Sequence, residues 1–432
     1  MHGSMMEGPN DALEESIGAV LKIVGSCLNL VALSLAEIAP FGISPVLLKT
    51  TLGYLTQLED LHLLDITQTY QDVLIGVLPN LRSLLLSFTF DSLCNPKTAR
   101  ETSDPFPFTR GHTSILEKLT LRDASLILDS EPFPHVRVLD LSHVFVPDGI
   151  HTLVRLFPGI EELMTRSFYL SSVTGDQLLL LTDPVSIDVQ EVVQSARGEY
   201  MTLPVHERSW PHLRRVTTRD ASELYYLGVL CPNGVVQLVM SNARPRADVM
   251  VDVLENLRPK GISCRADFDH LWPAFHRSTS CLFQPFLHWL AASRGRDIVV
   301  RWPQELLKFW RIVTLAAILA NHLDDASSSV SSLLVQFTAP TMTVYSHRQM
   351  ENTREAYEEG EKYLRTVVER FHPLRQVSID VVGRGVRAWE LVVGDWQELS
   401  ASQAREIWFE KAATAPTFEL VPQGIDDRAV TF

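Results

Sequence analysis

A short cassette of apolar residues with the spacing L-x-x-L-x-L recurs along the first third of this 432-residue chain. The clearest copies are Leu30-Leu33-Leu35, Leu58-Leu61-Leu63, Leu81-Leu84-Leu86, Leu116-Leu119-Leu121 and Val136-Leu139-Leu141. Alternate side chains of an extended strand point to opposite faces, so the last two apolar residues of each copy share one face. One strand cannot bury that face alone, whereas stacked strands form a continuous apolar face. The cassette therefore predicts a repeat architecture with a parallel sheet.

Weaker copies continue the pattern toward the C-terminus. They are Ile160-Leu163, Leu213-Val216, Val235-Leu238-Met240 and Leu374-Val377-Ile379, with β-like runs at Val185–Val189, Ile262–Ala266, Asp297–Arg301 and Leu333–Thr338. Most strand starts are separated by about 20–29 residues, which is the period of leucine-rich repeats. We therefore predict an α/β fold, a leucine-rich-repeat solenoid (horseshoe) of about thirteen repeats. Its parallel sheet is expected on the concave face and its helices on the convex face.

The segments between the strands set the expected domain organisation. Apolar residues at helical spacing predict return helices over about 13–24, 303–323 and 353–371. The proline-containing segment 95–112 is interpreted as a surface loop inserted in one repeat, and residues 389–418 as a C-terminal cap. We divide the chain into a disordered N-terminus (1–12), leucine-rich repeats (13–270), longer and more helical repeats with the cap (271–421), and a disordered tail (422–432).

Composition argues against several classes of function. A net charge of −14 repels phosphate backbones, so we expect no nucleic-acid partner. The longest apolar run is too short to cross a membrane, and the N-terminus lacks the pattern of a signal peptide. The five cysteines are scattered without a C-x-x-C pair, which is typical of reduced thiols in an intracellular protein, cytoplasmic or nuclear.

Motifs for chemistry are weak throughout the sequence. Gly383-Arg-Gly385-Val-Arg-Ala388 imitates a dinucleotide-binding turn, but too little chain follows it for the βαβ unit that such a site needs. The histidines have no metal-ligand spacing, and the sequence contains no nucleophile elbow and no phosphate-binding loop. We therefore expect no catalytic residues, no cofactor and no metal, and a protein that is not an enzyme.

The concave face of the predicted sheet is the best candidate site for a protein partner. Side chains between and after the inward leucines point outward there, and the predicted partner-binding residues are His62, Lys118, Arg122, Arg166, Arg215 and Arg219. Arg122, Arg166 and Arg219 share one position of the repeat, and arginine pairs in bidentate fashion with carboxylate or phosphate. The alternative is that all six are ordinary solvated strand residues balanced by neighbouring acids such as Asp140, Glu162 and Asp220.

Four phrases before the strands carry a family resemblance. They are Leu78-Pro-Asn-Leu-Arg-Ser-Leu84, Phe133-Pro-His-Val-Arg-Val-Leu139, Phe157-Pro-Gly-Ile-Glu-Glu-Leu163 and Trp210-Pro-His-Leu-Arg-Arg-Val216. This pattern resembles the leucine-rich-repeat region of F-box proteins from mushroom-forming fungi. The resemblance implies a substrate-recruiting subunit of a cullin-based ubiquitin ligase, in which an N-terminal F-box binds the Skp1 linker. About ten residues precede the first predicted helix, so the F-box itself is missing, and Skp1 or cullin binding requires an F-box outside this chain. The alternative function is a stand-alone scaffold or regulator without a ligase link.

Overall fold

The computed structural model describes residues 10–89, 103–126, 131–146, 149–171, 178–181, 187–234, 237–240, 247–266, 289, 297–303, 331–338, 375–381 and 385–422. The chain divides into two compact units, one of residues 1–216 and 223–233, the other of residues 217–222 and 234–432. The return helices predicted after residue 303 and over 353–371 lie outside the described residues. So does the predicted domain boundary at residue 270.

The first unit contains most of the clear cassettes. Its strands are β1 (Ala32–Leu35), β2 (Asp60–Ile66), β3 (Ser83–Phe88), β4 (Lys118–Arg122), β5 (Val138–Ser142), β6 (Val144–Phe145), β7 (Glu162–Thr165), β8 (Phe168–Ser171), β9 (Leu178–Leu180) and the start of β10 (Arg215–Thr218). Its helices are α1 (Asn10–Gly25), α2 (Pro45–Tyr54), α3 (Phe106–Thr109), α4 (Gly149–Leu156), α5 (Ile187–Met201) and most of α6 (Ala221–Leu227), with 3-10 turns at Gln68–Tyr70 and Val205–Glu207.

The cassette strands of the first unit form a parallel sheet, as the sequence predicts. Its order is β1-β2-β3-β4-β5-β7, with one leucine of each of the last five strands in a single register row: Leu61, Leu84, Leu119, Leu139 and Leu163. All five are 0–1% exposed. Burying each leucine contributes roughly 1.5–3 kcal/mol of transfer free energy, so this row is a major part of the core. The predicted α/β class is confirmed, whereas the horseshoe curvature stays a prediction.

Backbone hydrogen bonds repeat identically from strand to strand in this sheet. The carbonyl of Glu59 accepts from the amides of Arg82 and Ser83 at 2.8 and 2.9 Å. The carbonyl of Arg82 accepts in the same way from Glu117 and Lys118. Because every strand start is fixed by the same double contact, equivalent residues of successive repeats stand side by side.

Two features of the first unit correct the sequence predictions. Residues Val185–Val189 were expected to be strand, but α5 begins at Ile187. Val189, Val192, Val193 and Ala196 have helical spacing, so the helical period prevails over β-branched propensity. The predicted surface loop 95–112 is packed from residue 103 onward, where Phe108 is fully buried against Phe88 with ring centroids 5.4 Å apart. Aromatic burial outweighs the loop signal of the prolines there.

The second unit has a different sheet order. Its strands are β11 (Gln237–Met240), β12 (Gly261–Ala266), β13 (Asp297–Pro303), β14 (Ser332–Thr338), β15 (Gln376–Val381), β16 (Gly385–Val392), β17 (Asp395–Glu398) and β18 (Thr417–Pro422). Its described helices are α7 (Ala247–Leu257) and α8 (Ala401–Thr414). The order is β11-β12-β18-β13-β14-β15-β16-β17, parallel up to β15 and antiparallel from β15 to β17.

The C-terminal segment corrects the predicted cap. Residues 389–418 were expected to close the end of the sheet after the last repeat. Instead β18 lies between β12 and β13, pairing with both in parallel, and α8 packs on the face of the sheet. A strand inserted between two others satisfies hydrogen-bonding groups on both of its edges, whereas an end position satisfies one.

Helix α8 begins at a strong local start signal, a capping box. The Ser400 hydroxyl accepts from the Gln403 amide at 3.4 Å, and the Gln403 side chain accepts from the Ser400 amide at 3.1 Å. This reciprocal capping box satisfies two amides that a helix start otherwise leaves unpaired. The cap therefore fixes where the chain leaves β17 and turns back over the sheet.

Candidate functional site

One face of the first unit's sheet lies opposite the buried leucine row, and we call it the outward face. The strand register arranges its side chains in three rows. The first row is Asp60, Ser83, Lys118, Val138 and Glu162; the second is His62, Leu85, Thr120, Asp140 and Met164; the third is Ser87, Arg122 and Ser142, continued by Arg166. This is the face on which the sequence places the partner-binding residues. His62, Lys118 and Arg122 are half-buried on it, and Arg166 is exposed.

Not every outward position is open to solvent. Thr120 and Asp140, in the middle of the second row, are only 5% and 6% exposed. Asp140 lies beside Arg166, with Oδ2 3.6 Å from Nη2. Partial pairing with a guanidinium lowers the cost of burying this carboxylate. The centre of the face is therefore more enclosed than strand alternation alone predicts.

An acid–base pair marks the β2 side of the face. The Asp60 carboxylate lies 3.3 Å from Nε2 of His62, and both side chains are more than one third exposed. The hydrogen bond from His62 is the largest influence on the Asp60 carboxyl and lowers its pKa, helped by Ser83 and by the charge of Lys118. Asp60 is therefore ionised on this surface well below neutral pH.

The third row brings two of the predicted arginines into one line. Arg122 follows in register from Ser87 and precedes Ser142, and the amide of Arg166 donates to the Leu141 carbonyl at 2.9 Å. The two arginine backbones are thus two strands apart, or about 10 Å at a spacing of about 4.8 Å per strand. Within the described part of the chain, Arg122 has no hydrogen bond or ion pair. Its charge is available to a partner.

The remaining predicted residues divide between the units. Arg215 opens β10 in the first unit and is exposed, and its amide donates to the Glu161 carbonyl at 3.2 Å. Arg219 belongs to the second unit, although the repeat spacing assigns it to the same column as Arg122 and Arg166. The first unit therefore brings together His62, Lys118, Arg122, Arg166 and Arg215. That these residues bind a partner stays a prediction.

A cluster at the carboxyl ends of the strands borders the third row. Oδ1 of Asp123 lies 3.7 Å from Nδ1 of His143, and the His143 ring is 6.1 Å from the Tyr169 ring. Asp123 and His143 both have positive φ, at 53° and 55°, which turns the chain sharply where each strand ends. Burial raises the pKa of the Asp123 carboxyl, although His143 and Arg122 oppose that shift. The outward face thus ends in a half-buried cluster of Asp123, His143 and Tyr169.

Sequence reasoning missed a charge ladder along the opposite edge. From the second cassette onward, the residue after the first apolar position alternates in charge along the first unit: Glu59, Arg82, Glu117, Arg137, Glu161 and Arg214. Arg82 pairs with Glu117 at 3.0 Å, and Glu161 lies 3.9 Å from Arg137 and 3.5 Å from Arg214. Aligning the repeats and comparing the residue at this one position would have revealed the alternating charges.

An open groove of about 410 Å³ follows part of this ladder. Arg82, Glu117, Arg137, Asn80 and His135 are among its lining residues. Arg82 pairs with Glu117 and Arg137 lies 3.9 Å from Glu161, so the groove is better explained as the surface of the ladder than as a ligand cavity. Within the described ranges, no group of three or more His, Cys, Asp or Glu side chains could hold a metal ion.

The outward face of the second unit is covered. The Ser331 carbonyl accepts from the amides of Arg375 and Gln376, the same double contact that marks the strand starts in the first unit. By this equivalence Val299 and Leu334 stand in the second row, and both are fully buried. They form a core cluster with Trp408 of α8. Within the second unit, helix α8 therefore covers positions equivalent to those that are partly open in the first unit.

The comparisons with known proteins are sparse. No protein-family model and no curated protein matches the sequence. Among solved structures, the chain is similar to the leucine-rich repeat-containing protein LegL7 from Legionella pneumophila, with 13% sequence identity and a TM-score of 0.37. That similarity covers 79% of this chain and 94% of the other. No helix in the described residues is long and apolar enough to cross a membrane.

Proposed function

We propose that this chain is a protein-recognition module that binds its partner on the outward sheet face of the first unit. The observation that carries the proposal is the third row, where Arg122 and Arg166 stand two strands apart around Ser142. A guanidinium forms strong bidentate hydrogen bonds with carboxylates, so such a row suits an acidic surface of a partner. Lys118 and Arg215 add positive charge on the same face.

We further propose that binding is the whole activity of the face, with no catalysis. Its polar groups are spread along register rows, roughly one per strand, instead of converging on one reacting atom as catalytic groups do. The protein is proposed to act inside the cell, in the cytoplasm or nucleus. Cys27 and Cys231 are both free thiols, which supports a reducing compartment.

The narrower proposal is target recruitment for ubiquitination, with the repeats acting in a longer relative that carries an F-box. It is supported by the Leu-Pro-x-Leu and Phe-Pro-x phrases that resemble F-box proteins with leucine-rich repeats. The alternative is a stand-alone scaffold that uses the same face without Skp1 or a cullin.

The test is quantitative affinity capture from the source cells with three versions of the chain. The face variant is Lys118→Gln with Arg122→Gln, because neither side chain has an ion pair among the described residues and folding should be unaffected. Arg155→Gln, an exposed residue in the last turn of α4, is the matched control. We expect at least one protein to be captured by the wild type and the control and lost with the face variant.

The same experiment separates the narrower proposals. Skp1 and a cullin among the retained proteins support the ligase role, and a face-dependent partner without them supports the scaffold. A capture profile that is identical for all three versions contradicts the assignment of the face.

A further inference from the structure

In the second unit, helix α8 shows which kind of element packs on this type of sheet face. Helix α8 has 14 residues and is therefore about 21 Å long at about 1.5 Å per residue. It begins beside β16, where the Leu399 amide donates to the Ala388 carbonyl at 2.9 Å, and it leads into β18. The helix thus crosses the outward face over several strands.

The contacts of α8 follow the register rows. In the first row, the Lys411 ammonium donates to the Asp297 carboxylate and to the Ser332 hydroxyl, both at 3.0 Å. In the second row, Trp408 packs on Val299 and Leu334. The helix therefore places a charge against the opposite charge of the first row and an apolar anchor on the second.

The first unit presents equivalent backbone rows with a different arrangement of charges. Its first row contains Lys118 between two acids, Asp60 and Glu162. Its third row contains Arg122 and Arg166, and Arg166 lies 3.6 Å from Asp140. Its second row has half-buried apolar side chains, Leu85 and Met164, on either side of Thr120 and Asp140. Lys118 and Arg122 are the cations of these rows that have no ion pair among the described residues, so an occupant that satisfies them needs acidic side chains beside an apolar stripe.

From this correspondence we infer that the partner element on the first unit's face is an amphipathic helix with acidic residues. Its acidic side chains meet Lys118 and Arg122, and its apolar stripe lies over Leu85 and Met164. Residues three and four apart share one face of a helix, so one helix presents both sets together. This inference rests on the proposed function, because it names the chemistry of the partner at the same surface.

The test uses a phage-displayed library of random 16-residue peptides selected on the full-length chain. The Lys118→Gln, Arg122→Gln double variant serves for counter-selection. We expect the enriched peptides to carry Asp or Glu and Leu or an aromatic residue at spacings of three and four. Synthetic versions should bind the wild type and Arg155→Gln equally, and the double variant at least ten times more weakly. A proline in the middle of the peptide should abolish binding, since it breaks a helix.

Other outcomes separate the two levels of the argument. Enriched peptides that need Lys118 and Arg122 but tolerate a central proline overturn the helix inference and leave the face as a binding site. Basic peptides that bind the face overturn the acidic chemistry. A selection that yields no peptide able to distinguish the wild type from the double variant contradicts both the inference and the proposed function. Circular dichroism and a thermal melt of the double variant verify that it is folded.

Discussion

The sheets of the two units have equivalent register rows, but the side chains in those rows have different contacts. In the second unit the polar side chains of the third row bond to one another. Arg301 Nε donates to Gln336 Oε1, and Gln336 Nε2 donates to Asp380 Oδ2, both at 2.9 Å. In the first unit the equivalent row leaves Arg122 without a hydrogen bond or ion pair among the described residues. The third row of the second unit therefore satisfies its charges internally, whereas that of the first unit presents a charge to solvent.

The side chains of the second row are also more accessible in the first unit than in the second. Val299 and Leu334 are fully buried beneath α8, whereas Leu85 and Met164 of the first unit are only half-buried. An apolar side chain that is buried within its own unit contributes to folding, whereas one that is left partly exposed is available for contact with a partner. The comparison shows that a shared backbone pattern is covered by a helix in one unit and left partly open in the other, where we propose that it serves recognition.

The largest expected effect comes from removing the anchor of α8. Trp408→Ala should lower the free energy of unfolding by about 3–5 kcal/mol, since it leaves a cavity over Val299 and Leu334. The neighbouring Phe409 is 71% exposed, so Phe409→Ala is the control and should change stability by less than about 0.5 kcal/mol. Chemical denaturation followed by circular dichroism measures both. Equal effects would mean that α8 is not seated on the face.

A smaller loss is expected from the charged contact of the same helix. Lys411→Met removes the bonds to Asp297 and Ser332 and should cost about 1 kcal/mol, because the pair is partly exposed. Arg405→Met, at an exposed position of α8, is the matched control and should be close to neutral. A Lys411 effect that is independent of salt concentration would argue against an electrostatic contact.

The ladder of the first unit provides a comparable test. Arg137→Glu places three acidic side chains in a line with Glu117 and Glu161 and should destabilise the chain by about 1 kcal/mol at low salt. Arg155→Glu makes the same charge change on α4, away from the ladder. The difference between the two variants in urea denaturation should shrink as salt is added. A difference that stays constant would show that the ladder charges do not interact.

The smallest effects concern the pH dependence of the first unit's face. The pKa of Asp60 is lowered in the folded chain, so its contribution to stability is present above its ordinary value of 3.8 and is lost as the pH falls through the folded value. The pKa of Asp123 is raised, so its burial costs stability as the pH rises above 3.8. Relative to the wild type, Asp60→Asn should lose stability between pH 3 and pH 7, and Asp123→Asn should gain it. Denaturation curves at several pH values measure both, and two shifts of the same sign would contradict these assignments.

The sequence predicts the first unit's sheet well, because the spacing of the cassette indicates both where a strand lies and which of its side chains face the core. Leu61, Leu84 and Leu119 lie in one buried row, as their spacing requires. The cassette also places Arg122 and Arg166 on the same outward row. The cassette contains no information on how deeply the outward rows are buried, so the enclosure of Thr120 and Asp140 in the second row is not predictable from it.

The second unit is less predictable because its main features depend on contacts between distant segments. The insertion of β18 between β12 and β13 joins residues about 150 positions apart, and no local pattern near Thr417 indicates it. The seating of α8 depends on Trp408 meeting Val299 and Leu334. Its helical character and its capping box, by contrast, are local and can be read from Ser400 and Gln403.

The most direct test of the central contrast is the thiol reactivity of two introduced cysteines, Met164→Cys in the first unit and Leu334→Cys in the second. Peptide-level mass spectrometry of the native protein after brief alkylation gives both rates, with exposed Cys27 and buried Cys231 as internal references. We expect Met164→Cys to react at a rate close to that of Cys27. Leu334→Cys should be protected like Cys231 and become reactive when combined with Trp408→Ala. Equal rates at the two introduced positions would contradict the account that one face is open and the other is covered by α8.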